Sequence, residues 1–553
     1  MKTVIVSLNS QYIHSSLAPW YLLTSVRELN LSSLDIKVVE GTVNETVEQL
    51  YLRIEKEKAD VIAFSCYIWN IEYVLKLSAM LKRKNRKIIV GGPEVSYCAK
   101  KILFENKSID YVLSGEGEYP FSALLDALIY NKKLSAIDGL SFRRGRKIIV
   151  NEPFVTDKIP ISPYCEEYLS SLGGRIAYLE TSRGCPFSCA FCLSGRCGNV
   201  RYFPIDRAKN DIIRLANSGS KIIKLVDRTF NANRKRAYEL WKFIIDNYDK
   251  KIPNDVCFHF EIAGDLLTDE DFELLKKAPR GAIQFEIGMQ SFNEKTLEAV
   301  NRKTNTEKLK NNISCLIKMG NIHIHIDLIA GLPLEDYKSF RNSFNTAFNL
   351  NADMLQLGFL KLLYGADMRE KRDKYPCKFS ENPPYEVAST PWLDEERIKQ
   401  LHFCENALER FVNCGRFPLT VKYIFETQKR NPFDTLTELG MFTGVNSCTL
   451  NEYVDKLFWF FGQGSDIRIL RDLLVCDIST SVKSRVLPSS LIIEDKQLRQ
   501  FRRMLEENPE TKRKKGVLRN TFLLYSEECG GYVDYDKKKS DKYILNKIKF
   551  DIK

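Results

Sequence analysis

Short apolar runs set between stretches of helical period organise the first 140 residues. Residues 3–8 (Thr-Val-Ile-Val-Ser-Leu), 60–65 (Asp-Val-Ile-Ala-Phe-Ser), 87–91 (Lys-Ile-Ile-Val-Gly) and 109–113 (Ile-Asp-Tyr-Val-Leu) are too short for helices and have the length of buried strands. Their apolar positions are continuous and do not alternate, which is the pattern of parallel strands covered on both faces. Residues 71–84 space their apolar positions as one face of a helix. The pattern predicts an α/β fold with a doubly wound, Rossmann-like domain over 1–140 and a linker over 141–174. Ligands in that architecture lie outside the carboxyl ends of the strands, here residues 9–14, 66–70, 92–96 and 115–118.

From residue 175 the order strand, loop, helix repeats. Residues 176–180, 221–226, 257–262, 282–287, 322–329 and 354–359 read as strands, predicting a partial (β/α)6 TIM-type barrel over 175–368 with its active site at the carboxyl ends. After Gly365 the pattern changes. Pro376, Pro383, Pro384 and Pro391 mark an irregular crossing, and amphipathic helical stretches run from 394 to 525. A mainly helical carboxyl-terminal domain is expected over 369–553, with the tail from Tyr532 a closing strand or frayed end.

A chain of 553 residues exceeds a single core, which agrees with this division. The net charge is +12, with basic runs at 512–515 and 537–539. Aromatic residues are not interleaved with them, so they read as solvated surface, and a nucleic-acid partner is admitted but disfavoured. There is no run of eighteen apolar residues, and the apolar start is too short for a signal peptide. A cytoplasmic protein without a membrane partner is expected. Of its 15 cysteines, the twelve outside one cluster are dispersed and read as reduced thiols.

That cluster is Thr-Ser-Arg-Gly-Cys-Pro-Phe-Ser-Cys-Ala-Phe-Cys, with Cys185, Cys189 and Cys192 spaced by three residues and then two. Three thiolates on one tight loop suit a 4Fe-4S cluster whose fourth iron lacks a protein ligand. A zinc site with Cys197 as fourth thiolate, or cysteines buried as small apolar groups, are the alternatives. Further polar residues fall at the strand ends: Asp227, Glu261, then Glu286, Gln290 and Ser291 in Glu-Ile-Gly-Met-Gln-Ser, and Asp327 in Asp-Leu-Ile-Ala-Gly-Leu-Pro. Taken singly each acid could equally be a cap or an ion-pair partner. His323 and His325 share one face of their strand and read as barrel histidines with satisfied hydrogen bonds.

The cysteine spacing, with Phe191 before the third cysteine, resembles the radical S-adenosylmethionine (SAM) superfamily. The resemblance implies that the open iron chelates SAM and cleaves it reductively to a 5′-deoxyadenosyl radical, with electrons from a donor such as flavodoxin or ferredoxin. It also implies SAM contacts among Asp227, Glu261, Glu286, Gln290 and Ser291. The Gly-Gly-Pro-Glu and Gly-Glu-Gly-Glu turns of the amino-terminal third resemble the cobalamin-binding domain found in many such enzymes. The Asp-x-His-x-x-Gly motif of that domain is missing, because Tyr12 and Leu17 stand where it places Asp and Gly around His14. Cobalamin is therefore admitted but not favoured. Within the superfamily the chain resembles queuine lyases, which release 7-aminomethyl-7-deazaguanine. This implies a small, nucleobase-like substrate, with Tyr12, Tyr67, Trp69 and Tyr364 as candidate walls and Asp227 and Glu261 as candidate partners for its polar edge. A cobalamin-dependent methyltransferase and a tRNA-modifying enzyme are the alternatives, and no residue is assigned to catalysis itself.

Overall fold

The computed structural model describes every residue except 31–32, 198, 484–486, 494–495, 513–519, 540–541 and 551–553. The chain forms two compact units, one of residues 1–336, 350–352 and 359–393, the other of residues 337–349, 353–358 and 394–553. Most of the basic run at 512–515 lies outside the described residues.

The first unit opens with a seven-stranded sheet. Its strands are β1 (Lys2–Asn9), β2 (Asp35–Thr42), β3 (Val61–Ser65), β4 (Lys87–Gly91), β5 (Tyr111–Leu113), β6 (Leu140–Arg144) and β7 (Lys147–Val150), in the order β2-β1-β3-β4-β5-β6-β7. The first five run parallel. Their continuous apolar runs bury Val4, Val6, Ile62, Phe64, Ile88, Val90 and Val112 in one core with helix residues such as Val74, Leu77 and Leu81. The order reverses at β1 and β3, so the topological switch point lies at their carboxyl ends.

Two features depart from the sequence reading. β2 is half exposed and lacks a continuous apolar run, because it is an edge strand. Residues 141–174, read as linker, begin inside an antiparallel hairpin that extends the sheet beyond β5. Arg143 secures this hairpin by donating to the carbonyls of Ile109 and Asn106 at 2.6 and 2.7 Å.

The barrel strands of this unit are β8 (Ala177–Leu179), β11 (Ile222–Leu225), β12 (Cys257–Ile262), β13 (Ile283–Gln290) and β14 (His323–Ala330). They pair in parallel in chain order. Two short strands, β9 (Ser182–Arg183) and β10 (Arg201–Tyr202), pair antiparallel and pinch off the loop between them. β13 alternates strictly: Ile283, Phe285, Ile287 and Met289 are buried, while Gln284, Glu286, Gly288 and Gln290 are half-buried. The apolar face packs on helices, with Trp241 5.5 Å from Phe285. The other face is the inside of the partial barrel.

The expected sixth strand, β15 (Met354–Phe359), forms and belongs mainly to the second unit. That unit is mainly helical from Glu395 to Lys512 and ends in a three-stranded antiparallel sheet (Thr521–Leu524, Cys529–Lys539, Lys542–Lys549). The tail therefore closes a sheet of its own. A cluster of Phe501, Leu505, Leu523 and Tyr532 joins sheet and helix.

Within the first unit the two sheets are fastened through buried arginines. Arg183, only 14% exposed, donates to Glu118 at 2.6 Å, to Glu116 at 3.2 Å and to Glu180 at 3.0 Å. Arg201 also pairs with Glu116. Gly115 permits the turn that presents these acids, since its φ is +89° and a Cβ there would sit 2.2 Å from the carbonyl oxygen of Phe154. Arg175 makes a second clamp, bidentate to Glu40 at 3.0 and 3.1 Å and donating to the carbonyls of Tyr12 and His14. Arg183→Ala leaves three carboxylates facing one another in a buried site. It should cost the first unit about 3–5 kcal/mol, read by denaturant unfolding, and Arg183→Lys should recover only part because an ammonium cannot serve three acceptors in one plane.

Candidate active site at the barrel mouth

The loop pinched off by β9 and β10 carries the three cysteines. Its fold is fixed by its own backbone and by the barrel: the Cys192 amide donates to Cys189 O at 3.0 Å, and the Ala190 amide to Val300 O at 2.9 Å. Each sulfur has a polar neighbour. Cys185 Sγ lies 3.4 Å from Thr229 Oγ1, the Ser194 amide donates to Cys192 Sγ at 3.4 Å, and Arg302 approaches Cys189 Sγ at 3.9 Å. Burial pushes the Cys189 thiol up, and Arg302 works against that shift. Soft thiol donors on one loop, with N–H groups and a cation beside them, fit a 4Fe-4S cluster. The Cys197 side chain, the alternative fourth thiolate, lies outside the described residues.

The strand-end residues divide into two groups. Asp227, 1% exposed, accepts from the Thr181 amide at 2.9 Å, from Thr181 Oγ1 at 2.7 Å and from Ser182 Oγ. It latches β11 to the segment entering the cysteine loop and turns away from the barrel interior. Ser291 is equally buried, donating to Glu335 at 2.6 Å and accepting from the Asn293 amide. Both side chains, expected as SAM contacts, are engaged by the surrounding chain here. Gln290 sits on a β-bulge with φ +70°, its amide folded over Gly288, and its Oε1 is buried without a hydrogen-bond partner. That acceptor is available to a ligand.

Glu261 and Glu286 face the barrel interior together with residues the sequence reading passed over. Lys224 Nζ lies 2.8 Å from Glu286 and 3.9 Å from Glu261, and His259 Nε2 lies 2.9 Å from Glu286. Burial raises the Glu286 carboxyl, but His259 and Lys224 outweigh it and hold the group at about 2. Burial, then Glu286 and Glu261, push Asp327 up to about 7. His325 corrects an expectation: neither ring nitrogen has a partner, and burial pushes its pKa down to about 4. The signal for Lys224 and His259 was a charged or polar residue set inside an otherwise apolar strand, Ile-Ile-Lys-Leu and Cys-Phe-His-Phe.

The four candidate substrate walls do not converge. Tyr67 and Trp69 stack at the end of β3, their rings 4.4 Å apart and 4° from parallel, and Trp69 Nε1 donates to Leu8 O at 3.1 Å across the switch point. Burial raises the Tyr67 phenol, which feels Arg228 and Glu180 of the barrel mouth. Tyr12, 74% exposed, instead lies over Arg175. Tyr364 packs at the end of β4, its ring 3.7 Å from the Arg369 guanidinium and its hydroxyl 2.9 Å from Lys101 Nζ. His14 Nδ1 is engaged by the Tyr178 hydroxyl at 2.8 Å.

A model of the radical SAM superfamily matches residues 179–347, and a model of the B12 binding domain matches residues 3–125. A third model, of a protein of unknown function (DUF4080), matches residues 373–552. The chain is similar to a 2-(S-pantetheinyl)-carbapenam-3-carboxylate methyltransferase of Streptantibioticus cattleyicolor, at 29% identity over 66% of this chain and 56% of the relative. It is similar also to the cobalamin-dependent radical SAM methyltransferase TokK of Streptomyces tokunonensis, at 28% identity over 64% and 54%. The chain thus spans little more than half the length of these two relatives. Among solved structures, the cobalamin-dependent S-adenosylmethionine radical enzyme OxsB, with aqua-cobalamin and S-adenosylmethionine bound, shares the fold with a TM-score of 0.60. The identity is 14%, over 86% of this chain and 78% of OxsB. No helix among the described residues is long and apolar enough to cross a membrane.

The Asp227 latch gives a pH signature. Burial, opposed by the Ser182 and Thr181 hydrogen bonds, pushes its carboxyl up to about 6 from an ordinary 3.8. Between those values the folded chain holds a proton that the unfolded chain has lost, so this group's contribution to stability falls as pH rises through the window. Asp227→Asn removes the titration but also loses an acceptor. The variant should therefore be less stable than the parent at pH 4.5, with a deficit that shrinks by pH 7 in parallel melting experiments.

Proposed function

The chain carries a radical SAM domain behind a B12-binding domain, and from that premise we propose that it transfers a methyl group to a carbon of a small substrate in a cobalamin-dependent radical reaction. One observation carries the reading: the switch point of the amino-terminal sheet opens onto the barrel mouth. Tyr67, at the end of β3, feels Arg228 and Glu180 at the ends of barrel strands, and Arg183 joins the turn after β5 to the residue preceding the cysteine loop. A group held against the sheet and a group held by the cysteines then face one space.

The residues present fit both groups. Trp69, 45% exposed and stacked flat on Tyr67, offers an apolar surface at the switch point of the kind a planar macrocycle covers. His14 Nδ1 is engaged by the Tyr178 hydroxyl, so that ring nitrogen is taken by the chain itself. When bound, the cluster and SAM supply a radical that takes hydrogen from a substrate carbon, and cobalamin supplies the methyl group. The chain's own part is to hold and to shield. Cys185, Cys189 and Cys192 would hold iron, Gln290 Oε1 would accept from SAM, and Glu261 and Glu286, tied to Lys224, line the barrel beneath them. The apolar layer of Phe260, Phe285 and Trp241 outside the strands keeps that geometry rigid.

A second reading is a lyase on queuine or a related nucleobase. The flat Tyr67–Trp69 pair would also stack on such a heterocycle, and the missing Asp-x-His-x-x-Gly motif suits an enzyme that works without cobalamin. The similarities to known proteins lend no support to that substrate.

Replacing any one of Cys185, Cys189 and Cys192 with Ala should abolish the broad iron-sulfur absorbance and the formation of 5′-deoxyadenosine, and an Ala variant that still forms it would end the radical reading. Anaerobically reconstituted protein should retain one corrinoid through gel filtration, and Trp69→Ala should weaken that retention about five- to thirtyfold, as loss of a stacked aromatic worth about 1–2 kcal/mol requires. Corrinoid-free protein that converts queuine to 7-aminomethyl-7-deazaguanine would move the assignment to the lyase.

A further inference from the structure

We propose that His259, Glu286 and His325 form a binding site for one divalent metal ion of the zinc class inside the barrel, a layer below the strand ends. The inference does not depend on whether cobalamin binds.

The three residues come from adjacent strands. Glu286 of β13 stands level with His325 of β14, while His259 of β12 stands level with Gln284, one same-face step below. Their ligand atoms all lie within 4.8 Å of one another. The contact between His259 and Glu286 is informative in itself. Nε2 and Oε2 are 2.9 Å apart, yet Nε2 has no hydrogen-bond partner, so the atoms lie side by side and not along an N–H direction. Two ligands each about 2.0–2.1 Å from one metal at angles near 90–110° are roughly 2.9–3.4 Å apart. The pair already has the spacing of neighbouring ligands.

His325 supplies a second, independent observation. Both its ring nitrogens are buried without a partner, as is Oδ1 of Asp327 two residues on. A buried polar atom without a partner is destabilising, and no protein contact offsets it here. A metal ion would satisfy one nitrogen of each histidine. Charge points the same way: Glu261, Glu286 and Asp327 line the interior, and Lys224 is the cation beside them, with Arg228 and Arg302 at the rim. Lys224 then serves as the hydrogen-bond donor that orients a ligand carboxylate.

Two imidazoles and one carboxylate are a borderline donor set suited to zinc, and three protein ligands leave a position open. That position faces the strand ends, where a carboxylate, hydroxyl or amine of a substrate would reach it. The site is thereby a means of holding a substrate polar group below the reacting carbon.

The test uses the full chain with its iron-sulfur cluster reconstituted, treated with chelator, equilibrated with Zn2+ alone and freed of loose metal by gel filtration. We expect one zinc per chain beyond the iron. Its extended X-ray absorption fine structure should show only nitrogen and oxygen neighbours at about 2.0–2.1 Å with the outer-shell scattering of imidazole. His259→Gln and His325→Asn, which keep size and polarity, should each lower zinc affinity at least tenfold while iron content and melting temperature stay near those of the parent. Absence of bound zinc, a sulfur shell that places it on cysteines, or retention unchanged in the double histidine variant would overturn the proposal. The absorption measurement on the unaltered protein decides even if the variants fold poorly.

Discussion

The buried guanidinium of Arg183 is the constraint on which the arrangement of the first unit rests. One side chain binds a carboxylate from the end of β8 and two from the turn after β5, and it stacks on Tyr21 and Phe203. The next residue but one is Cys185. A cation placed there cannot shift without stranding three acids, so the start of the cysteine loop and the edge of the amino-terminal sheet keep one relation. Arg suits this role better than Lys because its planar fork presents donors in several directions at once. Arg175, just before β8, clamps Glu40 and the chain at Tyr12–His14 and so adds a second tie between the two sheets.

The barrel shows how much polarity a fold of this kind carries inside. A closed barrel normally fills its interior with Val, Ile and Leu. Here the alternation of β13 and β14 keeps Phe285, Ile287, Ile324 and Ile326 on the outer, helix-covered face, and turns Glu286, His325 and Asp327 inward. The outer face supplies the stability: Trp241, Phe258, Phe260 and Phe285 are almost wholly buried. That surplus supports an interior in which several polar atoms lack protein partners.

The legibility of the sequence followed the range of the interactions involved. Continuous apolar runs located β1, β3, β4 and β5 because burial on both faces leaves a local mark, and β2 escaped because an edge strand needs no such run. The hairpin of β6 and β7 escaped because its role depends on pairing with β5. Cysteine spacing is local, so the loop was readable. The strand-end polar residues were found, but their directions were not: Asp227 and Ser291 turn into the scaffold, and their partners at Thr181 and Glu335 lie more than 40 residues away. Lys224, His259 and Arg302 acquire meaning only when parallel strands bring them beside Glu286 and Cys189.

One irregularity in β13 ties these parts together. The register with β14 slips between Gly288 and Gln290, so that Gly288 faces Asp327 but Gln290 faces Leu328. A bulge of this kind re-aims side chains at the end of a strand. Here it folds the Gln290 amide over Gly288 and leaves the Gly288 carbonyl to accept from Arg302, the same guanidinium that approaches Cys189. Without the slip Gln290 would stand one residue further along β14, level with Ile329. With it, a single strand supplies a deep carboxylate, an acceptor at the mouth and the anchor of the cation beside a cysteine sulfur, so the depth of the interior and the position of the cysteine loop are set by one backbone.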